Sequence, residues 1–109
     1  MLKPIALHIL LALADRDNYG YAIMQAIRDQ SGGDVPVQTA SFYRHLAALM
    51  DEGLVAEAAA RRPGDDPRRG VYYRLTPRGR QVLAAEKQRL IELVTQMNKV
   101  RLSPRKAGA

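Results

Sequence analysis

No cysteine occurs in this chain, which excludes a disulfide framework, a thiolate metal site and a cysteine nucleophile. Tryptophan is missing too, and there is one phenylalanine against five tyrosines. Any core must therefore be built mainly from aliphatic side chains. Long apolar runs are lacking as well. The run from Ile5 to Ala14 contains His8 and is far shorter than the roughly 18 residues of a membrane span. Its length would suit the apolar part of a secretory leader, but the single Lys3 before it and Asp15-Arg16-Asp17 after it do not. The expectation is a cytoplasmic protein with no membrane partner. Catalytic constellations are equally sparse. There is no Gly-rich phosphate loop, no cluster of metal-ligand types, and no Ser grouped with a His and an acid. His8 and His45 are isolated, and Asp65-Asp66 sits in a Pro-Gly turn between arginines. Neither an enzymatic activity nor a cofactor nor a metal is expected.

What is present is an uneven distribution of charge. Residues 1–60 carry four basic and seven acidic side chains, whereas residues 61–109 carry thirteen basic and four acidic. A basic half of this kind suits a polyanionic partner, with nucleic acid and an anionic membrane surface as the candidates. With 109 residues, 47% of them hydrophobic, one small domain with a helical appendage is expected. A core of that size is marginal alone, and oligomerisation is a common remedy.

The pattern along the chain divides it at residue 76. In residues 1–76, Ile5, Ile9, Leu10 and Leu13 recur at helical spacing behind Pro4, which suits the first turn of a helix. Asn18 is the expected N-cap of a second helix, Tyr19 to Gln30, with Tyr19, Ile23, Ala26 and Ile27 on its buried stripe. Gly32 and Gly33 end it. A third helix is expected from Thr39 to Glu52, burying Phe42, Leu46, Leu49 and Met50. Two strands follow, Leu54–Ala58 and Val71–Leu75, the second rich in β-branched and aromatic residues. Between them Pro63-Gly64 and Asp66-Pro67 mark a turn flanked by Arg61, Arg62, Arg68 and Arg69. Tyr72 and Tyr73 alternate across the strand, so one should be core and the other exposed. In residues 77–109, Thr76 caps a last helix that runs from Pro77 to Leu102 and leads into a short basic tail. The fold class is mainly α with a small β-hairpin: a winged helix-turn-helix domain (1–76) and a long C-terminal dimerisation helix (77–109).

Three features carry function in this reading. With its apolar stripe turned inward, the third helix offers Ser41, Arg44, His45 and Ala48 outward, and Gln38 and Thr39 at its amino end. In helix-turn-helix proteins that end meets base edges in the major groove. Arg44 suits a guanine edge or a phosphate, Gln38 an adenine edge, Thr39 and Ser41 bases or phosphates, and Tyr43 a phosphate, with His45 a further DNA-binding candidate on the same face. Arg61, Arg62, Arg68 and Arg69 on the hairpin suit phosphates or a narrow minor groove. On the last helix, Leu83, Leu90 and Met97 repeat every seven residues, with Ile91 and Val94 beside them, as a helix-pairing seam would. So long an apolar helix on so small a domain calls for a second copy, most simply a symmetric one.

Several blocks of the chain together resemble the PadR family of winged-helix transcriptional regulators. They are Leu10-Leu11-Ala12-Leu13, Tyr19-Gly20-Tyr21-Ala22-Ile23, Ser41-Phe42-Tyr43-Arg44-His45-Leu46, Glu52-Gly53-Leu54-Val55 and Tyr72-Tyr73-Arg74-Leu75-Thr76 with Gly79. The resemblance implies a homodimer joined through the C-terminal helix and repression of a promoter by binding an inverted repeat in double-stranded DNA. It also implies a small hydrophobic or aromatic effector, since family members with known effectors answer to phenolic compounds or bulky drugs. The single C-terminal helix is similar to the shorter members. The chain departs from the family at Tyr19, where His is frequent, and at Ala40-Ser41-Phe42, where Gly-Thr-Leu is frequent, so base preferences do not carry over. The alternative function is a winged-helix module that binds protein, which would need an exposed apolar patch on the wing or the third helix.

Overall fold

The computed structural model describes residues 1–58 and 70–103. In chain order the elements are α1 (Pro4–Asp15), β1 (Asn18–Tyr19), α2 (Gly20–Gln30), α3 (Thr39–Asp51), β2 (Val55–Glu57), β3 (Tyr72–Leu75) and α4 (Pro77–Asn98). Helices α1, α2 and α3 enclose one core whose fully buried side chains are Ile9, Leu10, Leu13, Ile23, Ile27, Phe42, Leu46 and, from β2, Val55. Each such side chain contributes roughly 1.5–3 kcal/mol of transfer free energy before entropy is subtracted. Most of the stripe residues read from spacing are buried, but Ile5, Tyr19, Ala26 and Met50 are only half-buried, and in α2 Met24 is buried instead.

Residues 18–19 depart from the sequence expectation. Asn18 does not cap α2, which starts at Gly20 with Tyr19 at the N-cap and no side-chain cap. The Asn18 Oδ1 accepts instead from the Tyr19 N–H at 3.1 Å. The cause is a competing pairing: Asn18 lies opposite Tyr73 and Tyr19 opposite Tyr72, antiparallel. These two residues thus form a third strand, and the sheet order is β1-β3-β2. With β3 in the middle, neither of its tyrosines is left bare. Tyr19 and Tyr72 meet ring to ring at 5.6 Å, Tyr73 packs against the core, and both Tyr72 and Tyr73 are half-buried.

Gly32 and Gly33 end α2 at φ +61° and +85°, a left-handed conformation that costs other residues energy. The turn that follows is held by two side chains. The Ser31 Oγ accepts from the Val35 N–H at 3.3 Å, and Arg28 donates to the Val37 carbonyl at 3.4 Å. This turn fixes where α3 starts relative to α2.

Helix α4 opens as expected. Thr76 Oγ1 accepts from the Gly79 N–H at 2.9 Å and donates to the Gly53 carbonyl at 2.6 Å. The cap thus ties the start of α4 to the end of α3. Gly79 is buried, and a Cβ there would collide with the Leu54 carbonyl oxygen and Leu75 Cδ1. The first half of α4 packs on the domain through Val82 and Leu83. From Leu90 onward every described residue is exposed. The helix ends at Asn98, short of the expected Leu102, and Lys99 and Val100 turn back to the Gln96 and Met97 carbonyls. Asn is a weak helix former, and the last turn is exposed among the described residues, so no packing there overrides that.

Candidate nucleic-acid interface

The amino-terminal half of α3 is open. Gln38, Thr39, Ala40, Tyr43, Arg44, Ala47 and Ala48 are exposed, while Ser41 and His45 are half-buried. The difference follows from the helix itself. With Phe42, Leu46 and Leu49 buried, a 100° advance per residue centres the outer face on Ala40, Arg44 and Ala47. Ser41 and His45 lie toward one edge. His45 borders a crevice with Met1, Leu2 and Lys3, the segment before α1. The outermost stripe is therefore one long cation between small methyl groups, a shape that lets a backbone approach closely. The i, i+4, i+7 spacing of Ala40, Arg44 and Ala47 carried that signal in the sequence, and alanine's neutrality hid it.

Tyr43 has a second role besides exposure. Its ring meets Phe42 edge-on at 5.0 Å, and its hydroxyl end lies over Gly20, where a Cβ would be 2.9 Å from Cζ and closer still to the hydroxyl oxygen. Tyr43 thus spans from α3 to the first residue of α2. On the same side the Tyr73 hydroxyl is held above its ordinary pKa of 10.0, chiefly by burial and then by the neighbouring Tyr43 and Glu57. The start of α2, the middle of α3 and the base of the β2–β3 pair therefore meet around two phenols.

Helix α2 adds exposed polar groups that the sequence reading passed over. Tyr21 and Arg28 are exposed and Gln25 is half-buried; the three recur at i, i+4, i+7 opposite Ile23 and Ile27. The Gln25 amide donates to the Tyr21 hydroxyl at 2.7 Å. Arg61, Arg62, Arg68 and Arg69 fall outside the described residues.

The seam residues of α4 are placed as follows. Leu83 is half-buried against the core, whereas Leu90, Ile91, Val94 and Met97 are 37–52% exposed. Leu11 of α1 is 44% exposed and joins Leu83, Leu90, Ile91 and Val94 along a groove of about 620 Å³ between α1 and α4. His8 lies in the wall of this groove, and its Nδ1 is the one buried side-chain polar atom without a partner among the described residues. Among those residues no group of acidic or histidine side chains is arranged to hold a metal, and no helix is long and apolar enough to cross a membrane.

No curated protein matches the chain by sequence. Solved structures do resemble it. A PadR family transcription regulator from hypervirulent Clostridium difficile is 24% identical, with a TM-score of 0.75 over 89% of this chain and 97% of the other. A PadR-like transcription factor from Bacteroides fragilis is 23% identical, with a TM-score of 0.70 over 89% of each chain. The transcriptional regulator BldR from Sulfolobus solfataricus is 25% identical, with a TM-score of 0.65 over 94% of this chain and 65% of the other. At these identities the likeness establishes a winged-helix fold with a C-terminal helix. A profile of the transcriptional regulator PadR-like family matches residues 9–85, which takes in the three-helix core, the sheet and the first turns of α4. The chain belongs to the PadR-like family of transcriptional regulators.

Proposed function

We propose that the protein is a repressor that binds an inverted-repeat operator as a homodimer. The observation that carries this reading is the open amino-terminal half of α3, with Arg44 between Ala40 and Ala47, in a chain of a regulator family. Arg44 reads a base edge or grips a phosphate, and Gln38 and Thr39 serve at the helix start. Tyr43 orients α3 against α2, while Ser41 and His45 flank the reading face. The four arginines of the hairpin follow the phosphates or enter the minor groove. The two subunits pair through Leu83, Leu90, Ile91, Val94 and Met97, which sets two reading helices about one helical turn of DNA apart. A small hydrophobic or aromatic effector seated in the groove between α1 and α4 would shift α4, change that spacing and release the operator. Such a protein works where the chromosome is, in the cytoplasm.

Binding to the protein's own upstream promoter duplex, beside a scrambled duplex and at two salt concentrations, tests the reading. Preference for the promoter, with affinity falling steeply as salt rises, supports it, because each neutralised phosphate adds about 0.9 to the slope of log affinity against log salt. Equal binding to both duplexes, or none at low salt, refutes it.

A further inference from the structure

One charged side chain is buried among the described residues: Glu86 on α4, 5% exposed. A carboxylate is retained in such a place only when its oxygens are satisfied, and here the two are satisfied from different parts of the chain. Oε1 accepts from the Arg89 guanidinium, one turn along the same helix. Oε2 accepts from the Leu2 backbone N–H at 2.7 Å, across 84 residues of sequence. The segment that Leu2 belongs to has a helix on each side. Met1 and Leu2 border a crevice with Val82 and Ala85 of α4. With Lys3 they border another, whose far wall is His45, Ala48 and Leu49 of α3. The order across the molecule is α4, then residues 1–3, then α3.

We propose that Glu86 is a positioning residue that couples α4 to the reading helix, by fixing the segment before α1 that lies between them. A carboxylate-to-amide bond is directional, whereas the neighbouring Val82 and Ala85 contacts tolerate sliding. The leverage is considerable. From Glu86 to Met97 the helix advances about 16 Å, so a swing of about 10° at Glu86 displaces the exposed seam by about 3 Å. In the dimer of the preceding section, on which the consequence for DNA rests, that displacement changes the separation of the two α3 helices.

The absence of native cysteine allows a direct test. Ala47→Cys on α3 and Gln96→Cys on α4, both exposed, carry nitroxide labels. The doubly labelled protein is diluted into unlabelled protein, and the intramolecular distance distribution is read by pulsed electron paramagnetic resonance. The parent should give one narrow distribution. Glu86→Leu should broaden it at least twofold. Glu86→Gln, whose amide oxygen still accepts from Leu2, should restore most of the narrowness. Leu2→Pro removes the donor N–H and leaves Glu86 in place, so it should broaden the distribution even if Glu86→Leu folds poorly. A distribution as narrow as the parent's in Leu2→Pro or in a folded Glu86→Leu overturns the coupling, as does a Glu86→Gln as broad as Glu86→Leu. The distances are read without DNA. A parent that fails to prefer the promoter therefore sinks the operator reading alone, and the distances still decide the coupling.

Discussion

Replacing Gly79 by alanine puts a methyl group against the Leu54 carbonyl oxygen and Leu75 Cδ1, at the point where α4 leaves the sheet. Neither neighbour can yield easily. Leu54 is backbone, and its carbonyl already accepts the Thr76 N–H at 3.1 Å, while Leu75 is buried. Relief requires α4 to lift, which also stretches the 2.9 Å bond from the Gly79 N–H to Thr76. Overpacking costs about 1–3 kcal/mol, and a weakened cap adds about 0.5–1 kcal/mol. Against this, alanine restricts the unfolded chain and returns about 0.4–1 kcal/mol. The balance is a loss of about 1–3 kcal/mol, or roughly 5–20 °C in Tm for a domain of this size. Urea unfolding followed by circular dichroism measures it, with an unchanged slope showing that stability alone has moved. Gly33→Ala is the comparison. It has open space around it but a φ of +85°, so it should lose only about 1–2 kcal/mol, from the backbone alone. If Gly79→Ala is as stable as the parent, the close packing of α4 on the Leu54 carbonyl is not what holds that helix in place.

Arg44→Ala should weaken promoter binding by about 1–3 kcal/mol, roughly 5- to 150-fold, and leave the dimer intact by sedimentation; equal loss of dimer would make the residue structural. Leu90→Glu with Val94→Glu should leave helicity unchanged, because both side chains are exposed, and raise the dimer dissociation constant at least about tenfold; an unchanged constant would remove α4 from the interface. For acid stability, the Arg89 hydrogen bond first and the Leu2 N–H second hold the Glu86 carboxyl below its ordinary pKa of 4.5. A depressed folded pKa means that the group's stabilisation is complete above about pH 5 and is lost as pH falls through 4.5 and below. Glu86→Gln should therefore unfold with a flatter dependence of Tm on pH below 4.5 than the parent; identical acid limbs would count against that bond network.

The parts of the fold that spacing reveals were legible because one physical rule governs them. Ile9, Leu13, Ile23, Ile27, Phe42, Leu46 and Leu49 must share a side to reach a common core, and a 3.6-residue repeat records that. The cap at Thr76 was legible for a similar reason, since Thr followed by Pro is a local device. Asn18 and Tyr19 were not legible. Their local chemistry suits a helix start, and only Tyr72 and Tyr73, more than fifty residues away, draw them into a sheet. Glu86 was hidden for the same reason. In sequence it is one more charge on a charged helix, and nothing marks it as buried until Leu2 is seen to reach it. The outer face of α3 was half legible. Its centre at Arg44 follows from the buried stripe, but the exact edges depend on a rotation of one residue, which is why Ser41 and His45 turn out half-buried and Ala40 and Ala47 open.

Two of the blocks that resemble the family, Tyr19-Gly20-Tyr21 and Phe42-Tyr43-Arg44, are separated by some twenty residues in sequence and meet at one contact in space. Gly20 is a glycine at a place where φ is unremarkable and helical, so conformational freedom does not explain it. What explains it is Tyr43, whose hydroxyl end occupies the volume that any Cβ at position 20 would need. The glycine is the socket for the tyrosine. The consequence reaches the outer face of α3, because Tyr43 sits beside Arg44 on the same turn. The angle at which α3 leaves α2 is therefore fixed by a packing contact one residue from the side chain that reads DNA in the function proposed above.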